Sequence, residues 1–188
     1  LLQSREGSFD KGQVNAILVN FATPGGIPFL AEYIFQPLKA YKIRYNIPIF
    51  PYTASLCPSV GVYSAVACDK IYANHVALIG SIGVVSNFLN FSSALDKLGI
   101  ASETIIEGRG KDAMNPLRPW EADEDKQIRE IIHTLYNRFV DLVATARPKL
   151  TAKQIINDFG AKIFSASGAK EVGLIDEVVN SREDALYD

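Results

Sequence analysis

Short apolar runs closed by proline and glycine turns alternate along this chain with longer stretches whose apolar residues recur every three or four positions. The run "NAILVNF" (15 to 21) ends in "ATPGG", the pattern of a buried strand feeding a turn. Next, "PFLAEYIFQPLKAYKIRY" (28 to 45) sets Leu30, Ile34, Phe35, Leu38 and Tyr41 at helical spacing, with Pro37 expected to kink or split the helix. "IPIFPYTA" predicts a second strand, and "VYSAVAC" a short buried helix that starts just after Ser59. "DKIYA", "VALIGSIGVV" and "SETIIE" predict further strands. Strands alternating with helices in this way predict an α/β fold with parallel crossovers.

From 121 to 147 the period changes: Ile128, Ile131, Ile132, Leu135, Phe139, Leu142 and Val143 mark one face of a long amphipathic helix. Thr151 and Gln154 form a capping-box signal ahead of "AKQIINDF", with Gly160 as its stop. A helix around "ASGAKEVG" and a final apolar "LIDEVV" complete the pattern. No repeat, low-complexity tract or linker interrupts it, so residues 1–188 are expected to form a single domain.

Composition narrows the function classes. At 48% hydrophobic and 21% charged, the chain can bury a substantial core. Nineteen basic and 21 acidic side chains leave a net charge of -2, with no Lys or Arg run to form a phosphate-binding stripe, so nucleic acid is not an expected partner. Cys57 and Cys68 have neither metal-ligand spacing nor a disulfide framework and read as small buried side chains. No residue set calls for a metal or a cofactor. No apolar stretch reaches the roughly 18 to 20 residues that span a bilayer. The chain opens at Leu1 without a methionine and soon enters its first strand, the pattern expected of a piece of a longer protein.

Candidate chemistry gathers in three glycine-containing turns at predicted strand ends: "TPGG" (23 to 26), "SVG" (59 to 61) and "GSIG" (80 to 83). Parallel α/β sheets bind ligands at the carboxyl ends of their strands, where such loops meet. Glycine allows close backbone approach, and amides at a helix N-terminus favour an oxyanion. Ser59 has two readings from the residues alone: a helix N-cap, or a nucleophile. The "GxSxG" elbow is absent, because Cys57 stands two places before Ser59. A Ser-His-Asp triad lacks support as well: His133 lies within the long amphipathic helix and His75 in a loop. Lysine remains as a base, a role it takes when its pKa falls from about 10.4 towards neutrality. Lys111, in the glycine-flanked "IIEGRGKDAMNP", stands apart from the helical lysines at 39, 42, 126 and 153, although a solvated loop lysine is the alternative.

In order and spacing, "TPGG", "SVGVYSAVACDKIYA", "GSIGVV", "LDKLGI" and "EGRGKDAMNP" resemble the signal peptide peptidase A family of serine-lysine proteases, from about "AILVN" to "GLIDEVV". The resemblance implies the ClpP/crotonase fold, a spiral of βαβ units with helices outside. It implies Ser59 as nucleophile, Lys111 as general base and Ser81 as the serine that orients the lysine. It implies an oxyanion hole from the amides of Gly26 and Val60. Two departures accompany it: Ser59-Val60-Gly61 stands where the family has Ser-Gly-Gly, and Thr23 where the family has serine. Pro58 also replaces a more usual small residue. Valine keeps its N–H but narrows backbone freedom if that position needs an unusual φ.

The resemblance further implies peptide substrates, in particular cleaved signal peptides, and a ring- or bowl-shaped homo-oligomer whose serine and lysine come from neighbouring subunits. It implies a bacterial membrane location, with an N-terminal anchor preceding this chain and the catalytic part outside the cytoplasm. Two other readings share the fold: a crotonase-type enzyme acting on acyl-CoA thioesters, and a non-catalytic scaffold or peptide-binding relative, to which the Val60 departure lends weight.

Overall fold

A computed structural model describes residues 14–187, which divide into two compact units: one formed by the described residues up to Gly83 together with Asn137 onward, the other by Val84–Tyr136.

In the first unit, strand β1 (Ile17–Asn20) leads through helix α1 (Pro28–Tyr45) to β2 (Ile49–Thr53), which pairs with β1 in parallel, Ile17 opposite Ile49. Pro28 opens α1, where a missing N–H costs nothing, and Asn46 ends it in the left-handed region at φ 49°. Pro37 lies inside the helix without splitting it. Ala31, Phe35, Leu38 and Tyr41, spaced by three or four, form the buried face, while Leu30 and Ile34 remain largely exposed. Strands β4 (Tyr72–Asn74) and β7 (Glu177–Val179) complete a parallel sheet in the order β1-β2-β4-β7. Tyr52, Tyr72 and Ala185 pack on it with Leu18, Phe50 and Val179.

A second, smaller sheet supplies the turns of interest. Strand β3 (Leu56–Pro58) pairs in parallel with β5 (Leu78–Gly80), and β5 pairs antiparallel with β6 (Ile163–Ser165). Helix α2 (Val60–Ala65) follows β3 directly and is buried along its whole length. Its Tyr63 ring meets Phe35 edge-on at 5.7 Å and Phe139 at 5.1 Å. Each such fully buried large apolar side chain contributes about 1.5–3 kcal/mol. Asp69 accepts from the Ile49 amide (2.9 Å) and pairs with Lys42, and Asp176 accepts from the Ile71 amide (2.7 Å) and pairs with Arg147. Strand starts are thus tied to neighbouring helices by charged side chains.

The second unit contains helix α3 (Ser92–Lys97) and the start of α4 (Lys126–Ala146), which crosses the boundary at Tyr136, and it has no strand among its residues. The strand expected at "SETIIE" is therefore absent: Ile105 is 91% exposed and Ile106 is exposed too, with no neighbouring strand to pair with. The long helix begins at Lys126 rather than 121, because residues 122–125 form a turn instead. Beyond α4, Thr151 and Gln154 form the expected capping box on a short helix, α5 (Ala152–Gln154), which widens into a π-turn over Ile155–Phe159 and stops at Gly160. Helix α6 (Ala166–Glu171) and a last turn, α7 (Asp184–Tyr187), close the fold.

Candidate active site

Parallel pairing of β3 and β5 sets Pro58 opposite Gly80, so Ser59 and Ser81 each stand one residue past the carboxyl ends of neighbouring strands. The Ser59 amide donates to the Gly80 carbonyl at 2.8 Å, and the Ser81 amide to that of Lys162, also at 2.8 Å. Both serines have φ of 52°, a region that side-chain-bearing residues rarely occupy. The cost of such a conformation is on the order of 1–3 kcal/mol, and it persists only where the surroundings enforce it.

At Ser59 the enforcement is visible. The residue occupies the N-cap position of α2 with ψ at -111°, and its side chain makes no capping hydrogen bond. An ordinary cap has extended backbone and a hydroxyl turned onto the first-turn amides. Ser59 has neither, so the cap reading fails on geometry. Its carbonyl instead accepts from the Tyr63 amide (2.9 Å), starting the helix, while the half-buried hydroxyl is left unused by it.

Opposite this turn lies the Pro-Gly-Gly segment. The Thr23 amide donates to the Leu56 carbonyl (2.9 Å), joining the turn to the start of β3. The Thr23 hydroxyl donates to the Gly25 carbonyl (3.0 Å) and accepts from the Gly25 amide (3.2 Å), so threonine closes the turn with the β-hydroxyl a serine would use. Gly25, at φ 118°, faces Ser59: a Cβ there would sit 3.4 Å from the Ser59 Cβ and 3.8 Å from its Oγ. A Cβ on exposed Gly26 would touch the Val60 Cγ2 at 3.4 Å. The structure therefore brings Gly26, Ser59, Val60 and Ser81 together.

Val60 carries none of the strain. It is the first residue of α2 and is not among the residues with positive φ, so a β-branched side chain is accommodated there. As a first-turn residue its amide has no intrahelical acceptor. Its side chain, 7% exposed, lines a cavity of about 700 Å³ with Val19, Phe21, Tyr33, Leu38 and Ser64. Gly61, next along, is held by space: a Cβ would lie 2.8 Å from the Cys57 Sγ. Burial pushes the Cys57 thiol up to about 12, which leaves it neutral and unreactive at working pH.

Helix α2 is anchored by charge as well. The Tyr63 hydroxyl donates to Glu32 Oε1 at 2.5 Å, and Glu32 also accepts from Gln36 and from Arg138. Burial opposes ionisation of Glu32, but the hydrogen bonds from Tyr63, Gln36 and Arg138 outweigh it and hold its carboxyl below the usual range. Burial, together with that carboxylate, pushes the Tyr63 phenol up to about 12.

Lys111 lies in the second unit, exposed, on the turn its flanking glycines suggested, with its amide donating to the Gly108 carbonyl at 3.2 Å. The histidines stand where expected: His133 is exposed on α4, and His75 sits in a loop with Nε2 3.1 Å from Asn180 Oδ1. Among the described residues no cluster of His, Cys, Asp and Glu is arranged to hold a metal ion, and no helix is long and apolar enough to cross a membrane. Gly25 and Gly80 lie in two of the glycine turns singled out from the sequence, which did not show their positive φ. Gly80, at φ 122°, would place a Cβ 2.4 Å from the Lys162 carbonyl oxygen.

A model of Peptidase family S49 matches residues 42–186. The chain belongs to that family. Over 186 residues it is 33% identical to the "Putative signal peptide peptidase SppA" of Enterococcus faecium, covering 99% of this chain and 53% of that protein. It is 26% identical over 176 residues to "Protease 4" of Haemophilus influenzae (93% of this chain, 28% of that protein). It is also 24% identical over 164 residues to "Serine protease SPPA, chloroplastic" of Arabidopsis thaliana (87% and 24%). The chain thus spans about half the length of the first relative and about a quarter of the others. The α/β class expected from the sequence holds: the family has a ClpP-like fold, and the parallel β1-β2-β4-β7 sheet with its crossover helices is its core here. Ser59, Ser81 and Lys111 all fall within the matched segment, whereas Gly26 precedes it.

Proposed function

We propose that this chain is the catalytic part of a serine endopeptidase in which Ser59 is the nucleophile and Lys111 the general base. The observation that carries the reading is the strand-to-helix turn at Ser59, strained at φ 52° around a hydroxyl that caps no helix. Strain of this kind concentrates at functional sites. Family membership supplies the reaction class.

In the proposed mechanism neutral Lys111 takes the proton from the Ser59 Oγ as that oxygen attacks a peptide carbonyl. The amides of Gly26 and Val60 hold the developing oxyanion, an interaction worth about 2.7–4 kcal/mol of barrier per donor. Protonated Lys111 returns the proton to the leaving amine, and the freed lysine activates a water that releases the acyl group from Ser59. Ser81, beside Ser59 at the ends of paired strands, orients the lysine.

The apolar cavity of about 700 Å³ next to Val60 favours peptides with apolar side chains, and remnant signal peptides are the substrate class proposed. Phe29, Tyr33 and Ile43 are each about 70% exposed on α1, which supports assembly into a ring- or bowl-shaped homo-oligomer with serine and lysine contributed by neighbouring subunits. The proposed location is a bacterial membrane, on the extracytoplasmic side, through a segment outside the described residues. The scaffold reading drew on valine standing at position 60, and the place of Val60 in the helix without positive φ lessens that support.

Cleavage of an apolar fluorogenic peptide by an assembled, full-length preparation tests the proposal. Ser59→Ala and Lys111→Ala are each expected to lower kcat by on the order of 10⁴-fold with assembly intact.

A further inference from the structure

The turn that carries Lys111 has little backbone structure of its own. Gly108, Gly110 and Met114 all have positive φ, and the segment's own backbone bonds are successive tight-turn bonds: Lys111 to Gly108, Ala113 to Gly110 and Asn115 to Asp112. Such a loop drifts on its own, yet a general base must be held to within a fraction of an ångström of its target.

Arg118 ties the turn to residues beyond it. Arg118 Nε donates to Asp112 Oδ2 (2.8 Å), and Nη2 donates to the Asp112 carbonyl (3.0 Å). Nη1 donates to the Pro119 carbonyl (3.0 Å) and to Glu124 Oε2 (3.1 Å), and Nη2 donates also to Glu124 Oε1. All five guanidinium N–H donors are therefore used within the unit. Glu124 in turn accepts from the Met114 amide (3.0 Å) and the Glu121 amide (2.9 Å). The carboxylate and the carbonyl of the residue after Lys111 are both gripped, and Met114 is buried.

We propose that Arg118 is a positioning residue, which through Asp112 and Glu124 fixes the turn that presents Lys111. The proposal rests on the reading of Lys111 as the base. With every donor engaged, Arg118 has none left for substrate, so its effect passes through the turn. Lysine cannot replace it, having three donors on a point charge instead of a planar fork.

Trp120 Nε1 donates to the Asn115 carbonyl (2.8 Å), so the part of the emission that Trp120→Phe removes reports the turn independently of activity. In the full-length protein, Arg118→Ala should shift Trp120 emission to the red and lower kcat about 100-fold, with KM within about twofold. Arg118→Lys should lose about tenfold, and Asp112→Asn a similar factor. In a Lys111→Ala background, Arg118→Ala should cost nothing further, read as the rate at which an alkyl fluorophosphonate labels Ser59.

If Lys111→Ala cleaves like the parent, the reading of Lys111 fails and the inference with it. If Lys111→Ala is inactive while Arg118→Ala keeps the parental kcat, or slows the Lys111→Ala background by the same factor as the parent, the inference alone is overturned. Should Arg118→Ala fail to fold, Arg118→Lys and Asp112→Asn decide by the same criteria.

Discussion

The turn at Ser59 and the turn at Lys111 are held by different physics. Around Ser59 the constraints are backbone hydrogen bonds between paired strands and glycines packed against neighbouring atoms. Around Lys111 they are the ion pairs of one arginine with two carboxylates in a unit without strands. Steric and backbone constraints hold a strained conformation and respond little to salt or pH. Partly exposed charges hold a loop in place but weaken as they are screened or protonated. In the proposed enzyme the nucleophile is thus permanently set, whereas the base-bearing turn is the adjustable half.

The largest effect expected from this contrast lies on the steric side. Gly80→Ala forces a Cβ against the Lys162 carbonyl in a backbone region hostile to side chains, and should destabilise the chain by about 3 kcal/mol in denaturant titrations and remove cleavage. Gly110→Ala, in the charge-held turn, has open space around the new Cβ and pays only for its φ of 73°, about 1 kcal/mol. Equal losses at the two positions would erase the distinction.

A smaller effect of opposite sign is expected at Ser59. If Ser59 stores strain, Ser59→Gly should be more stable than Ser59→Ala by about 1 kcal/mol, although a glycine after a strand ordinarily costs unfolded-state entropy. Both variants should be inactive. A glycine variant no more stable than alanine would mean that the turn is relaxed.

The smallest effect is a pH dependence confined to the charged turn. Hydrogen bonds from Arg118 chiefly hold the Glu124 carboxyl at about 2 and also lower that of Asp112. Groups with depressed pKa values stabilise the fold above their unfolded values and lose that contribution as pH falls through the folded ones. Trp120 emission should therefore be constant from neutrality to about pH 4.5 and change only between there and about pH 2. A change near pH 6 would place the control of the turn elsewhere.

The same contrast governs what the sequence made legible. Alternation of short apolar runs with helical stretches predicted the parallel sheet, and the three glycine turns were expected to share a site; "SVG" meets "GSIG" because β3 and β5 pair in parallel, and "TPGG" meets "SVG" through the Thr23 amide on β3 and the approach of Gly25 to Ser59. The capping box at Thr151 was readable because its geometry is local. "SETIIE" misled because an apolar run predicts a strand only where a neighbour is present to pair with, and Ile105 is left in solvent. The strain at Ser59 could not be read from residue types, since a serine before a helix looks like a cap whatever its φ. Arg118 was invisible for a related reason: its partners lie six residues away on either side in an aperiodic loop, where no regular spacing marks a contact.

The most direct test of the central claim is the site and rate of covalent labelling by an alkyl fluorophosphonate, followed by mass spectrometry of the digested full-length protein. The account predicts a single adduct on the peptide containing Ser59, forming far more slowly in Lys111→Ala. An adduct elsewhere, or one on Ser59 that forms equally fast without Lys111, would contradict it.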